Sequence, residues 1–297
     1  MPEPIYCLGE TMSVVATADG APILSGREFV LSAGGAESNV AAHLAGRGRW
    51  AIWLSRLGVD PLGDRIMREL TGRGVDASAV LRDSGRPTGM YVKERVVGGT
   101  TRVFYYRAGS AASAMSPEDL ATWAVPDGAH IHVSGITPAL SASCSQLIDA
   151  VLDGPYRTSF DVNYRPALWP VEEASERLRE LADRADTVFV GLDEAHTLWG
   201  TTTADDVAAL LDGPARLVVK DGSHEAVEFA RVGERRVVTR EAAFEVDVVE
   251  PVGAGDAFAA GYLDGLLSAA SAEERLLLGH ELASWNLGSV HDVRPRR

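Results

Sequence analysis

The sequence predicts an α/β protein in which a mostly parallel sheet carries helices on both of its faces. Short β-rich runs alternate with helical patterns along most of the 297 residues, and this alternation is typical of a parallel sheet. Several of the β-rich runs are apolar throughout, as expected when helices cover both sheet faces. Because 46% of the residues are hydrophobic, the chain can bury one large α/β domain or two modest ones.

The elements can be assigned in order along the chain. Strands are predicted at residues 4–9, 51–58, 129–135, 157–163, 186–191 and 215–220. Helices are predicted between them, at residues 36–47, 61–73, 141–153, 172–184 and 204–211. Toward the C-terminus, an antiparallel sheet edge is predicted at residues 226–232, 235–240 and 244–249. A further helix begins after the glycine-rich turn that follows.

Two alternating runs between residues 88 and 113 predict a β-hairpin that turns at a pair of glycines. Strand alternation places Tyr105 and Arg107 on one face. A two-residue turn at the glycine pair would pair Tyr91 with Tyr106. Tyr91 can therefore share the Tyr105 face only if the loop has an odd number of residues or a bulge. The segment is either an ordinary amphipathic hairpin or a lid that presents aromatic and cationic groups to a ligand.

Charge and composition exclude several classes of partner. The net charge of −14 disfavours nucleic acid and anionic membranes, and no apolar run approaches the ~18 residues of a membrane span. Cys7 and Cys144 are too few for a disulfide framework or a zinc site, and the N-terminus lacks a secretory signal. We therefore expect a reduced, cytoplasmic protein, in which an anionic substrate would need a local cluster of positive charge.

The GAGD motif at residues 253–256 carries the strongest chemical signal. Its glycines let a ligand approach the backbone, and the first N–H groups of the following helix favour an anion. A carboxylate beside them repels a resting phosphate, but it can take a proton from a hydroxyl that attacks a phosphate. Asp256 is therefore either a general base or an ordinary first-turn acid. The turn matches neither a dinucleotide-binding fingerprint nor a Walker loop.

Two other turns could hold a ligand. Gly34 and Gly35 precede a helix of small residues, and Asn39 either caps this helix or binds a polyhydroxy ligand. Asp161 and Arg165 follow a buried strand, where α/β folds place ligands. The guanidinium of Arg165 offers a fork for a carboxylate or a phosphate, or else forms a loop salt bridge.

Charged residues also follow the next two predicted strands. Asp193 and Glu194 either organise Mg²⁺ and its water or begin a helix. Lys220 and Gly222 end the following strand, in a nucleotide-side turn or a simple hairpin. The seven histidines form no recognisable metal-ligand set.

Together these segments resemble the PfkB (ribokinase-like) family of carbohydrate kinases over nearly the whole chain. The stretch GAGDAFAAG is close to the C-terminal signature of that family, and GGAESN and the hairpin match it earlier in the chain. Residues 105–113 (YYRAGSAAS) and 161–169 (DVNYRPALW) most resemble 2-keto-3-deoxygluconate kinases. The resemblance implies one ribokinase-like domain over residues 1–297, a three-layer α/β/α core with lid strands from about 11–31 and 88–108. It also implies transfer of the ATP γ-phosphoryl group to a hydroxyl of a keto-deoxy sugar acid, with Mg²⁺.

The resemblance further implies roles for individual residues. Asp256 is expected as the catalytic base, and Gly253, Ala254 and Gly255 as the anion hole for the transferring phosphoryl group. The residues expected to bind the sugar acid are Gly34, Gly35, Asn39, Tyr91, Tyr105, Arg107 and Arg165. Those expected to bind the nucleotide are Lys220, Gly222, Gly253, Gly255 and Asn286. Glu194 matches the acidic position that holds Mg²⁺ directly or through water.

The chain departs from the family pattern at three places. Glu250 and Pro251 stand where aspartate and threonine are common, which affects any nearby monovalent-cation site. Gly191 and Asp193 lie near the acidic Mg²⁺ element in place of the usual asparagine. The C-terminal stretch lacks the small residues expected around the adenine.

Other interpretations keep parts of this account. The same chemistry could act on fructose, ribose or 5-dehydro-2-deoxygluconate, or the fold could serve a non-catalytic sugar- or nucleotide-binding protein. We also expect that the lid could pair two copies into a homodimer, because lids of this family often pair.

Overall fold

The computed structural model describes residues 3–95, 101–249, 251–288 and 293 of the chain. Within these ranges the chain forms fourteen strands and nine α-helices, and none of these helices is long and apolar enough to cross a membrane. The strands are β1 (Ile5–Leu8), β2 (Met12–Thr17), β3 (Phe29–Gly34), β4 (Ala51–Leu54), β5 (Arg56–Gly58), β6 (Leu81–Asp83), β7 (Met90–Arg95), β8 (Thr101–Tyr106), β9 (His130–Ser134), β10 (Arg157–Asp161), β11 (Thr187–Gly191), β12 (Arg216–Asp221), β13 (Glu225–Val232) and β14 (Arg235–Ala242). The helices are α1 (Ala36–Gly46), α2 (Pro61–Gly72), α3 (Glu118–Trp123), α4 (Ala142–Leu152), α5 (Val171–Arg184), α6 (Leu192–Trp199), α7 (Ala204–Leu210), α8 (Ala254–Leu267) and α9 (Ala272–Leu287).

Eight strands form the main sheet, in the order β14-β13-β12-β11-β10-β9-β1-β4. The strands from β4 to β12 in this order run parallel, and β13 and β14 add an antiparallel edge. The prediction of a mostly parallel sheet with an antiparallel edge is confirmed. In such a sheet the carboxyl ends of the parallel strands meet at one edge, which is where ligands of α/β folds bind.

Two details of the strand prediction are wrong. The run at residues 51–58 is divided, because β5 leaves the main sheet and pairs with β6. The run at residues 244–249 forms no regular strand. Its Val249 N–H donates to the Leu287 carbonyl of α9 at 2.9 Å, so this segment pairs with a helix end instead of extending the sheet.

The strand β11 illustrates how the sequence builds three layers. Val188 and Val190 are fully buried in a core with α3 to α7, whereas Phe189 between them is fully buried in a second core with α1, α2, α8 and α9. Successive side chains of a strand point to opposite faces, and both faces are covered here. This explains why the central strands are apolar throughout, and it confirms the predicted α/β/α core.

Helices α8 and α9 pack closely through a glycine. A Cβ atom placed on Gly261 would lie 2.2 Å from the Leu278 carbonyl oxygen, so only glycine allows this separation. The fully buried Tyr262 next to it donates its hydroxyl to Glu228 of β13 at 2.8 Å. The two contacts fix α8 against α9 and the sheet edge, and thereby fix where the N-terminus of α8 points.

The small sheet, defined as β3-β2-β7-β8, lies beside the main sheet. Tyr91 pairs directly with Tyr105, and the ladder continues to Arg95 and Thr101. Residues 96–100, which include the predicted glycine turn, are outside the described ranges. The observed register pairs Tyr91 with Tyr105, not with Tyr106. Tyr91 therefore shares the Tyr105 face, and the two ring centroids lie 5.8 Å apart.

Candidate active site

A cavity of about 670 Å³ lies between the small sheet and the carboxyl ends of the parallel strands. Every residue predicted for the site, except Asn286, lines this cavity. These residues come from distant parts of the chain, and the parallel sheet brings them together at one edge. The cavity is large enough to hold a small-molecule ligand.

The N-terminus of α8 forms the floor of the cavity. Gly253, the residue before the helix, adopts a left-handed φ of 80°, which glycine reaches without strain. The Ala254 N–H donates to the Pro251 carbonyl at 3.3 Å, whereas the backbone N–H groups of Gly255 and Asp256 have no backbone partner in the described part of the chain. Together with the helix dipole, these two N–H groups can bind an anion.

Asp256 is a buried carboxylate in the first turn of α8, with 8% of its surface exposed. Its Oδ2 accepts a hydrogen bond from Asn39 Nδ2 at 2.8 Å, and its Oδ1 accepts a longer one from Asn163 Nδ2 at 3.4 Å. Burial and the charge of Asp161 raise the pKa of Asp256 to about 6, although Asn39, Arg165 and the Lys220 ammonium act in the opposite direction. A carboxylate with this pKa is ionised at neutral pH and still accepts a proton readily.

The ammonium group of Lys220 lies beside the GAGD turn. Its Nζ is 3.0 Å from Asp161 Oδ2, and a Cβ atom placed on Gly255 would be 3.5 Å from the same Nζ. Burial lowers the pKa of Lys220, but the carboxylates of Asp161 and Glu194 outweigh this effect and raise it. Lys220 therefore stays charged next to the N–H groups that could bind a phosphoryl group.

Glu194 stands at the start of α6, across from Arg165. Its Oε2 accepts the Gly191 N–H at 2.9 Å, and its Oε1 lies 3.8 Å from Arg165 Nη1. Burial and the nearby Asp161 charge raise the pKa of Glu194. Arg165 keeps 43% of its side chain exposed, so its fork can still bind a ligand.

The small sheet supplies the opposite wall, where one contact differs from expectation. Tyr91, Tyr105 and Arg107 line the cavity as predicted. The Nε of Arg107, however, donates to Oε2 of Glu10 at 2.7 Å, and Glu10 is only 2% exposed. Arg107 and Arg165 were both expected to bind the sugar acid, which needs positive charge. The buried Glu10 offsets the charge of Arg107, which leaves Arg165 as the more available cation of the two.

Asn286 is the predicted site residue that the structure removes from the cavity. It is fully buried, and its Nδ2 donates to the Val252 carbonyl at 3.3 Å. Asn286 does not line the cavity, and its expected contact with the nucleotide stays a prediction. Asn286 supports the segment that precedes the GAGD turn.

Glu10 and His280 are polar cavity residues that the sequence reasoning missed. Glu10 follows β1, and its position at a strand end could have marked it. His280 of α9 lies in the wall beyond the GAGD turn, where its Nε2 and the Glu241 carbonyl are 3.1 Å apart. Its ring packs edge-on against Phe258 with the centroids 5.2 Å apart. No short motif identifies a histidine whose position depends on a strand and two helices.

The three-layer core, the small sheet over the cavity and the buried carboxylate at a glycine-rich helix start define the class of ribokinase-like sugar kinases. Among solved structures, the PfkB protein from Polaromonas sp. JS666 matches with a TM-score of 0.84 and 32% sequence identity, over 96% of this chain and 95% of that one. The chain belongs to the pfkB family of carbohydrate kinases, whose family model matches residues 3–295.

Two curated relatives have a similar length and share about a third of their residues with this chain. The 2-dehydro-3-deoxygluconokinase of Bacillus subtilis (strain 168) is 34% identical, over 96% of this chain and 90% of that protein. The 2-dehydro-3-deoxygalactonokinase of Haloferax volcanii is 31% identical, over 94% of this chain and 89% of that protein.

Proposed function

We propose that the protein is an ATP-dependent kinase that transfers the γ-phosphoryl group to a hydroxyl of a keto-deoxy sugar acid such as 2-keto-3-deoxygluconate. The observation that carries the proposal is the juxtaposition of Asp256 with Lys220 at the start of α8. One group can accept a proton, the other can bind a phosphoryl group, and both line one cavity with Arg165. The names of the Bacillus subtilis and Haloferax volcanii relatives describe kinases of such sugar acids, and this similarity supports the substrate class.

The Asp256 carboxylate acts as the general base of this reaction. A primary hydroxyl of the sugar lies against Asp256 and attacks the γ-phosphorus in line, while the carboxylate takes its proton. The bond from the γ-phosphorus to the bridging oxygen breaks, and ADP leaves. Asn39 and Asn163 donate to the two carboxylate oxygens and so hold Asp256 in position. Because an amide donor stabilises the ionised form, Asn39 also keeps the base deprotonated at neutral pH.

Two groups of the protein can supply positive charge near the transferring phosphoryl group: backbone N–H groups and a lysine ammonium. The N–H groups of Gly255 and Asp256 point from the helix start, and the Lys220 ammonium lies beside them. Groups fixed in this way stabilise the charge that develops on the equatorial oxygens during transfer. Asp161 holds Lys220 through its 3.0 Å contact and thereby positions it.

The carboxylates near Lys220 also suit Mg²⁺. Glu194 and Asp161 interact electrostatically with each other and with Lys220, and their oxygens are the ligand type that Mg²⁺ prefers. No group of three or more acidic, histidine or cysteine side chains in the described ranges could hold a metal by itself. These residues therefore fit a Mg²⁺ ion that would be held mainly by ATP phosphates and water, with Glu194 as its contact on the protein. When bound, Mg²⁺ would neutralise phosphate charge.

The residues on the small-sheet side of the cavity bind the sugar and exclude water. Tyr91, Tyr105 and Arg107 cover the sugar from the small sheet, and the Gly34-Gly35 turn lets it approach the backbone. We propose that residues 1–297 act as one kinase domain with the small sheet as its lid. Closure of the lid over the sugar removes water that would otherwise accept the phosphoryl group.

A neutral-sugar kinase is the second candidate. The Glu10–Arg107 ion pair favours it, because the pair contributes little net positive charge to the sugar side of the cavity. Fructose and ribose are then the acceptors to compare. A coupled assay of ADP release against fructose, ribose, 2-keto-3-deoxygluconate, its galacto epimer and 5-dehydro-2-deoxygluconate decides between the candidates. The proposal predicts the highest kcat/KM for a keto-deoxy acid, and a preference for fructose or ribose would contradict it.

We propose that two copies associate through the outer face of the small sheet. Leu31, Val15, Val92 and Phe104 form one row across its four strands, on the face opposite to Tyr91 and Tyr105. Phe104 is 45% exposed, so a second copy would bury apolar area there. Light scattering tests this proposal. We expect the native chain to be a dimer and the Phe104→Glu variant to be a monomer, and a monomeric native chain would contradict the proposal.

The use of ATP also bears on where the protein works. Cys7 and Cys144 are both free and buried, and unpaired thiols are typical of a reducing compartment. Together with ATP as the donor, they support a cytoplasmic location.

A further inference from the structure

Glu10 is a buried carboxylate in the link between β1 of the main sheet and β2 of the small sheet. Its side chain is only 1% exposed. Both of its oxygens are occupied: Oε2 accepts from Nε and pairs with Nη2 of Arg107, and Oε1 accepts the Ser110 hydroxyl at 2.5 Å. An acid this deeply buried is stable only when it is fully paired.

The surrounding backbone leaves room for this carboxylate. A Cβ atom placed on Gly89, just before β7, would lie 2.7 Å from Glu10 Oε1. The Gly89 carbonyl accepts the Ser13 N–H of β2 at 2.9 Å. Glu10 therefore sits where three segments that connect the two sheets meet: the β1–β2 link, the approach to β7 and the exit from β8.

The same contacts leave Arg107 with one orientation. Its Nε and Nη2 face Glu10, and its guanidinium carbon lies 5.6 Å from the ring centroid of Tyr105. The remaining terminal nitrogen, Nη1, has no partner in the described part of the chain, and Arg107 lines the cavity. Because a guanidinium is planar and rigid, fixing one edge fixes the direction of the other.

We propose that Glu10 is the positioning residue that fixes Arg107 as a hydrogen-bond donor to the sugar. This inference rests on the proposed sugar kinase function, but not on which sugar is used. Glu10 does not touch the reacting atoms; it acts through Arg107. The ion pair also connects the end of β8 to the segment that follows β1 of the main sheet. Arg107 is therefore oriented toward the cavity only when the small sheet is packed in its place beside the main sheet.

A double-mutant cycle tests the proposal. Sugar binding is measured by calorimetry without nucleotide, with whichever sugar of the panel binds the native chain most tightly. We expect Glu10→Gln to weaken binding about tenfold or more in the native background, the effect of losing a charge-assisted hydrogen bond. In an Arg107→Met background the same substitution should have no further effect, because the group it positions is gone. Equal weakening in both backgrounds would overturn the proposal.

Two control variants separate positioning from general support of the fold. Ser110→Ala removes the bond to Oε1 and leaves the Arg107 contact, so we expect less than about threefold weaker binding. Should Glu10→Gln fail to fold, Glu10→Asp keeps the charge but shortens the reach. It should weaken sugar binding while ATP affinity stays within about twofold of native. A matching loss of ATP affinity in either Glu10 variant would contradict the proposal.

A spectroscopic readout remains valid even if no sugar of the panel binds. The Nε–H of Arg107, assigned by its loss in Arg107→Met, should give a protected ¹⁵N signal in the native chain and lose protection in Glu10→Gln. Rapid exchange in the native chain would mean that Glu10 does not fix Arg107. Failure of the sugar panel with a protected signal would count against the proposed function alone.

Discussion

The side-chain amide of Asn39 donates a hydrogen bond to Oδ2 of Asp256 at 2.8 Å, across 217 positions of the chain. Asn39 belongs to α1 and Asp256 to α8, so the contact joins the helix that follows the Gly34-Gly35 turn to the proposed base. The expected contact of Asn39 with the sugar stays a prediction beside this bond. The amide stabilises the ionised carboxylate and opposes the upward effect of burial on the pKa of Asp256.

The Asn39 contact therefore predicts a change in pH dependence. Asn39→Ala removes a donor that lowers the pKa of Asp256, so this pKa should rise above about 6. The base works only when ionised, and activity falls as the pH drops through its pKa. A kcat–pH profile should have its acidic limb displaced to higher pH, with a greater loss at pH 6 than at pH 8. An unchanged limb would contradict the role of Asn39.

The Lys220 ammonium is predicted to act mainly on the chemical step. Lys220→Met should lower kcat by roughly 10²–10³ with little change in the KM for sugar, because the charge it stabilises develops in the transition state. Asp161→Asn should give a smaller loss that disappears in the Lys220→Met background. Arg216→Met, on the same strand but at its far end, is the control and should keep native kcat. A Lys220→Met enzyme within about threefold of native would contradict the assignment.

The two arginines are predicted to differ in substrate discrimination. Arg165→Met should lower kcat/KM for a keto-deoxy acid by about tenfold or more and have a smaller effect on a neutral sugar, because it is the more available cation. Arg107→Met should weaken both, since Glu10 already offsets its charge. The measurement is kcat/KM for one acid and one neutral sugar in each variant. Equal losses for both sugars in Arg165→Met would contradict this division.

Glu37 of α1 gives a prediction for stability. It is fully buried, its Oε1 accepts from Ser134 and Thr137 at 2.6 and 3.1 Å, and its Oε2 has no partner among the described residues. Burial raises the pKa of Glu37 from 4.5 to about 7. The folded state therefore holds a proton that the unfolded state releases between these values, and stability falls as the pH rises through that window.

Glu37→Gln should remove this pH dependence. The amide mimics the protonated acid and does not titrate. The free energy of unfolding of the variant, relative to that of the native chain, should therefore rise by roughly 3 kcal/mol between pH 4.5 and pH 8, since one pKa unit corresponds to about 1.4 kcal/mol. Urea unfolding at several pH values measures it. The exposed Glu172→Gln on α5 serves as control and should leave the dependence unchanged. Parallel stability curves for Glu37→Gln and the native chain would contradict the prediction.

The central strands and the convergence of the site were predictable from sequence. Runs such as residues 186–191 are apolar throughout because helices cover both faces of β11, and this pattern is local. The turn residues that follow such strands meet because parallel strands share one carboxyl edge. The pairing of Tyr91 with Tyr105 was left open by the sequence, because a two-residue turn at the glycine pair would pair Tyr91 with Tyr106.

Contacts between distant segments were not predictable. Asn286 was expected near the nucleotide from the resemblance alone, and its burial and its bond to the Val252 carbonyl could not be foreseen. The pairing of Glu10 with Arg107 has no local sequence pattern, because the two residues come into contact only when the small sheet has folded. Residues 244–249 alternate like a strand, yet the segment pairs with the end of α9. Each of these depends on which elements become neighbours.

The assignment of Asp256 as the base is the central claim, and Asp256→Asn tests it most directly. Single-turnover kinetics should reveal a loss of phosphoryl transfer of at least about 10³, with the sugar affinity from calorimetry within about threefold of native. Asp264→Asn is the matched control, because Asp264 is a buried aspartate of the same helix that pairs with Arg47 and Arg49 away from the cavity. Its phosphoryl transfer should remain near native. Transfer by Asp256→Asn within tenfold of the native rate would contradict the account.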